Sequence, residues 1–290
     1  MKINRKLILP VALFVLFAFT GCASQDAEDT AAPAETILPE EQVAIAKQKL
    51  DEADNYTAEL YATVKMGESE AETRMQASIA VSKEPAIMAI QVNNYIGAQM
   101  QSSEMYLEEL KDGSNLYMSY EDEWTELTLE KENADKTVRF FSVKDNIDVL
   151  LSAGNGWEAT QADNGGVVLT GVIPANKVYT VAEEGRFLQL VGMAGISENY
   201  FDGVSDVEIS IYLDKDGVPQ SAEADFAKTL NVVTTNVLAD LDGASLEIES
   251  YFIEAKIIEI NGVEPLSIPE QARKQAINYE EEIMLQKTTK

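Results

Sequence analysis

Tyr56-Thr57-Ala58-Glu59-Leu60-Tyr61-Ala62-Thr63-Val64-Lys65-Met66 decides the fold. Tyr56, Ala58, Leu60, Ala62, Val64 and Met66 alternate with Thr57, Glu59, Tyr61, Thr63 and Lys65. Successive strand side chains point to opposite faces, so this period of two predicts one long strand with an oily and a wet side. The pattern recurs downstream. Gly67 to Glu70 turns the chain, and Met75, Ala77, Ile79 and Val81 alternate with Arg74, Gln76 and Ser78. Glu84-Pro85 breaks that strand, and Ala86 to Ile96 makes a third. Met105-Tyr106-Leu107, Leu116-Tyr117-Met118 and Trp124 to Leu129 continue the series, with Lys111-Asp112-Gly113-Ser114 as a hairpin turn. Six strands joined by short polar turns describe an antiparallel meander.

Upstream, Pro39-Glu40-Glu41 starts a helix, with acids where the helix dipole favours them. Val43, Ala46, Leu50 and Ala53 carry it to about Asp54-Asn55. Downstream, the spacing predicts a helix from Asp135 to Ser152, with Phe140, Val143, Ile147, Leu150 and Leu151 on one face and Val138, Phe141 and Val149 as a second patch. A hairpin of Trp157–Gln161 and Val167–Ile173 precedes another helix, Pro174 to Met193. Val178, Val181, Ala182, Gly185 and Leu188 share one of its faces, while Phe187, Leu190 and Val191 point elsewhere. The last third returns to alternation at Val207–Leu213 and Ala222–Phe226 across Asp214-Lys215-Asp216-Gly217, and Leu246 to Ile260 is expected as the final long strand. Ser267-Ile268-Pro269-Glu270 has capping-box spacing for a short helix.

The amino end is of another kind. Lys2, Arg5 and Lys6 precede an apolar run, Leu7 to Phe19, that is shorter than the roughly 20 residues of a bilayer-spanning helix. A charged start, apolar middle and small-residue exit describe a secretory signal. Phe19-Thr20-Gly21-Cys22 resembles the lipobox of bacterial lipoproteins, with Phe19 where that family usually has Leu, Val or Ile. The resemblance implies that Cys22 becomes the lipidated N-terminus, anchored on the extracytoplasmic face of the cell membrane. The expected organisation is a signal peptide over 1–21, an acidic tether over 22–38 and one domain over 39–290. The chain has 22 basic and 50 acidic residues and no His; losing Lys2, Arg5 and Lys6, and no acid, leaves 19 against 50, a formal −31. Such a surface repels nucleic acid and anionic headgroups, which makes a lipid anchor the more economical means of membrane attachment. A single cysteine excludes an internal disulfide and a thiolate metal cluster.

In this order of elements the chain is similar to the LolA-like lipoproteins, half-open antiparallel barrels with helices plugging the concave side. Lipoprotein carriers and mycobacterial lipid-binding lipoproteins such as LprG and LppX share that fold. More narrowly, it resembles a family of bacterial surface lipoproteins at three places: Asp54-Asn55-Tyr56-Thr57, Tyr212-Leu213-Asp214-Lys215-Asp216-Gly217-Val218-Pro219, and Val263-Glu264-Pro265-Leu266-Ser267-Ile268-Pro269-Glu270. The resemblance implies an α+β class, a curved antiparallel half-barrel sheet with helices covering its concave face. It also implies an apolar cavity for a lipid or lipidated ligand. Fold does not by itself specify function.

The residues offer little catalytic chemistry. With no His, the usual general base and metal ligand are missing. Fifty acids make any one carboxylate pair uninformative as a glycosidase signal. Asp214-Lys215-Asp216-Gly217 matches part of a calcium loop, but Tyr212 stands at the first ligand position and strands flank it, so it reads as a hairpin turn. The expectation is a protein that is not an enzyme and holds no cofactor or metal. Phe140, Ile147, Val181 and Leu188 are the candidate lining of a hydrophobic-ligand cavity, or else ordinary packed core. The alternative to lipid carriage is an envelope module that binds or senses a protein partner.

Overall fold

In the computed structural model, which describes residues 38–67, 72–120, 123–193, 195–240 and 247–278, the chain enters through helix α1 (Pro39–Asp51). The leader, Cys22 and nearly all of the tether lie outside the described residues. Pro39 opens α1, Glu40 and Glu41 occupy its first turn, and Ala46 and Leu50 are buried. The helix stops earlier than its apolar spacing predicts because a distant side chain takes its end. Asn261 Nδ2 donates to the Glu52 carbonyl at 3.0 Å, and Asn261 Oδ1 accepts from the Asp54 amide at 2.9 Å.

The expected meander follows as β1 (Tyr56–Met66), β2 (Glu72–Lys83), β3 (Ala86–Ile96), β4 (Gln99–Leu110), β5 (Gly113–Tyr120) and β6 (Glu123–Glu130). Each strand pairs antiparallel with the next. The second half contributes β7 (Asn155–Gln161), β8 (Val167–Ile173), β9 (Val207–Leu213), β10 (Pro219–Asp225) and β11 (Ile248–Ile260). β1 and β11 pair along their whole lengths and join the halves into one curved, open sheet. β11 is not the last strand: β12 (Ile277–Asn278) adds to β6 in parallel, a two-residue pairing too short to show as periodicity.

Helices depart most from expectation. The stretch expected as one helix from Asp135 is two, α2 (Lys131–Phe141) and α3 (Val143–Ala153), broken at Ser142. Ser142 Oγ accepts from the Asp145 amide at 3.3 Å and so caps α3, which favours a break over continuation. The helix expected to run to Met193 is α4 (Ala175–Glu184) followed by a 3-10 turn over Phe187–Val191. It ends at Gly185, where an added Cβ would lie 2.4 Å from the Phe187 ring. Arg186 then takes a left-handed backbone, φ 54°. α5 (Ala227–Asp240) was not anticipated, and α6 (Glu270–Gln275) begins at Glu270 with Pro269 at its cap and no capping bond from Ser267.

Strand alternation separates two cores. Leu107, Ile90, Ala58, Ile211 and Tyr251 face the large core shared with α1, α3, α4 and α5. On the opposite face, Ile87, Tyr117 and Trp124 form a small core with Ile268 and Ala272 of the α6 segment. The β9–β10 turn is a hairpin: Asp214 Oδ1 accepts from the Asp216 and Val218 amides, each at 2.9 Å, which commits the carboxylate to backbone.

Candidate functional site

The site follows from how α2 is held. β6 runs into it without a loop, and its far end is pinned at Ser142, whose Oγ also lies 3.3 Å from the buried Tyr56 hydroxyl. Between those points α2 rests on β5 and β6 and buries only Ala134 and Phe141. Ala134 and Val138 lie one turn apart on a single side of the helix, and both are short. The space left beneath is a cleft of about 240 Å³, lined by Val81, Met88 and Leu107 of one sheet face, by Ala134 and Val138 of the helix, and by Leu110 at the strand end. Ala86, Ile87 and Gly113 also line it, and Ser82, Ser114, Glu109, Lys111, Lys131 and Asp135 add polar groups to its walls. Drug-sized pockets run from about 300 Å³ upward. This cleft is smaller than that.

Past α2 the same sheet face stays oily and opens. The register sets Met105 opposite Met118, Ser103 opposite Tyr120 and Ile90 opposite Met105, all on the side of the large core. Met75, Met105 and Leu116 are half-buried there, while Met118 is 39% exposed, Tyr120 50% and Ile96 61%. Methionine side chains are flexible and polarizable, and suit an adaptable apolar contact. Each appeared in the sequence as an ordinary strand residue. The available signal was that Met75, Met105 and Met118 fall on one face.

Of the sequence-derived candidates, Ile147, Val181 and Leu188 lie in the large core, each at most 2% exposed. Phe140 is half-buried at the inner end of α2, its ring edge-on to Phe141 with centroids 4.5 Å apart. Three of the four thus share one core and the fourth borders it. Cys22 lies outside the described residues.

Polar groups line the rim of the cleft: Ser82, Ser114, Glu109, Lys111, Lys131 and Asp135. Lys131 meets Asp135 at 3.6 Å, while Lys111 makes no ion pair among the described residues. Among the described residues no three His, Cys, Asp or Glu side chains are grouped so as to hold a metal ion. No helix of the described residues is long and apolar enough to cross a membrane.

No protein-family model matches the chain, and no curated protein matches its sequence. Among solved structures it is similar to the lipoprotein LppX of Mycobacterium tuberculosis, with a TM-score of 0.41 and 13% identity over 79% of this chain and 97% of that one. LprF from Mycobacterium bovis matches with a TM-score of 0.43 and 9% identity over 80% of this chain and 96% of the other. A beta-barrel-like protein from Brucella abortus matches at 0.25 and 8%, covering 73% and 99%. At these identities and scores the likeness transfers no functional residue to this chain.

Proposed function

We propose that the protein is a lipoprotein anchored through Cys22 on the extracytoplasmic face of the membrane, and that its curved sheet holds a hydrophobic ligand, a lipid or lipidated molecule. The observation that carries this reading is the cleft beneath α2, which has an apolar floor on the face that continues to Met105, Met118 and Tyr120. Contiguous exposed apolar patches mark interaction or ligand-binding surfaces. In this reading the ligand lies under α2, with Phe140 at its inner end. Ile147, Val181 and Leu188 would be reached by a chain that displaces packed side chains. The role is carriage or presentation, not catalysis, and involves no nucleic acid.

A second reading, an envelope module that binds a protein partner, draws on the exposure of Ile96, Met118 and Tyr120 on that face. Organic-solvent extraction of the purified protein, followed by mass spectrometry of the extract, separates the two. A stoichiometric lipid supports carriage. An extract free of lipid, together with no uptake of fatty-acid or phospholipid probes, favours the protein partner.

A further inference from the structure

We propose that the flank of α2 carries an anion site, formed by Arg139 and Arg186, that receives the phosphate or carboxylate head of the amphiphile whose chain lies beneath the helix. This rests on the hydrophobic-ligand reading above and adds the chemistry of the head group. Glu132, Asp135, Lys136 and Arg139 recur at helical spacing along one side of α2, and with Arg186 they line a pocket of about 230 Å³. Asp135 also lines the apolar cleft, so the two spaces adjoin across the helix.

Three of the five lining side chains are cationic, in a chain with 22 basic and 50 acidic residues. The acids present already have partners. Lys136 binds Glu132 at 2.7 Å, and Lys131 meets Asp135 at 3.6 Å. Arg139 makes no ion pair among the described residues. Arg186 pairs with Glu183 at 3.5 Å through a terminal nitrogen, which leaves its Nε buried without a hydrogen-bond partner among the described residues. A buried donor without an acceptor is costly, and an anionic oxygen is the strongest acceptor that could satisfy it.

The backbone at Arg186 is also unusual. It is left-handed, between Gly185, which is pressed against the Phe187 ring, and the buried Phe187 itself. Strain of this kind persists where the surroundings fix the backbone, and it clusters at ligand-binding sites. Guanidinium groups present paired donors matched to phosphate and carboxylate oxygens.

The test is calorimetric titration of the full chain, in non-ionic detergent, with octyl phosphate, octanol and inorganic phosphate. The expected result is octyl phosphate binding at least about tenfold tighter than octanol, as charge-assisted bonds to guanidinium require. Arg139→Gln and Arg186→Asn should each bring that ratio toward one and leave octanol binding unchanged. Arg139 is exposed, and Asn tolerates the left-handed backbone, so thermal melts should show both variants folded. Equal affinity of the wild type for octyl phosphate and octanol overturns the anion site and leaves the cleft standing. A phosphate preference that survives both substitutions overturns it as well. Arginine-dependent binding of inorganic phosphate as tight as that of octyl phosphate, with octanol unbound, upholds the anion site and overturns the cleft reading instead.

Discussion

Tyr251, on a strand at the middle of the sheet, donates its hydroxyl hydrogen to the backbone carbonyl of Phe187 in the turn that follows α4. Both residues are at most 1% exposed, so the bond ties the sheet to the helical layer inside the core. Burial pushes the Tyr251 phenol well above its ordinary range, which keeps it a neutral donor at any physiological pH. Tyr251→Phe leaves the Phe187 carbonyl without this partner, a loss of about 1–3 kcal/mol. A lower urea midpoint with an unchanged slope is the expected outcome. An unchanged midpoint would show that the bond contributes nothing net.

Asn261 joins the end of β11 to the start of β1. It has a left-handed backbone, φ 60°, and its side chain serves both Glu52 and Asp54. Asn261→Gly removes the side-chain bonds but relieves the backbone, whereas Asn261→Ala loses on both counts. Alanine is therefore expected to be less stable than glycine by about 1–2 kcal/mol, with both below the wild type. Thermal melts of the three proteins check the order. Glycine matching the wild type would show the side-chain bonds to be dispensable.

The full pairing of β1 with β11 makes independent unfolding of the two halves improbable on physical grounds, since either half alone would expose a long central strand edge. A chain beginning at Leu38 is expected to fold and to unfold in one transition by fluorescence and by circular dichroism. Two separated transitions, or two protease-resistant halves, would contradict this.

How legible these features were depended on whether local pattern or distant contact decided them. β1 could be read because every second residue from Tyr56 to Val64 is buried. α5 could not, because Val232, Val233, Thr234, Thr235 and Val237 favour strands over helices. It is nevertheless a helix, with Ala227, Leu230, Val233 and Thr234 buried at helical spacing and Asp225 Oδ1 accepting from the Ala227 amide at 2.8 Å. The break between α2 and α3 was written in Ser142-Val143-Lys144-Asp145, a capping signal masked by the apolar period running through it. The cleft depends on where α2 rests on β5 and β6, a contact between elements with no local signature. Arg186 joins Arg139 only through the tertiary fold, 47 positions along the chain.

Cys22 carries the claim of location. Cys22→Ala removes the thiol that a lipid would modify, and the expected outcome is loss of radiolabelled fatty-acid incorporation and release from the membrane fraction. Retention and labelling equal to the wild type would mean that the anchor is elsewhere.

The central claim, that the face beneath α2 holds an apolar ligand, is tested most directly by the dissociation constant of a fluorescent fatty acid for the full chain and for Val138→Asp. Val138 lines the cleft and is only half-buried, so aspartate there is expected to leave the fold intact and to place an unpartnered carboxylate against the alkyl chain. Leu188→Asp, at 1% exposure in the large core, is expected to unfold instead. The account requires saturable binding by the wild type and at least about tenfold weaker binding by folded Val138→Asp, in line with the cost of burying an unpaired polar group. No binding by the wild type, or equal binding by folded Val138→Asp, would contradict it.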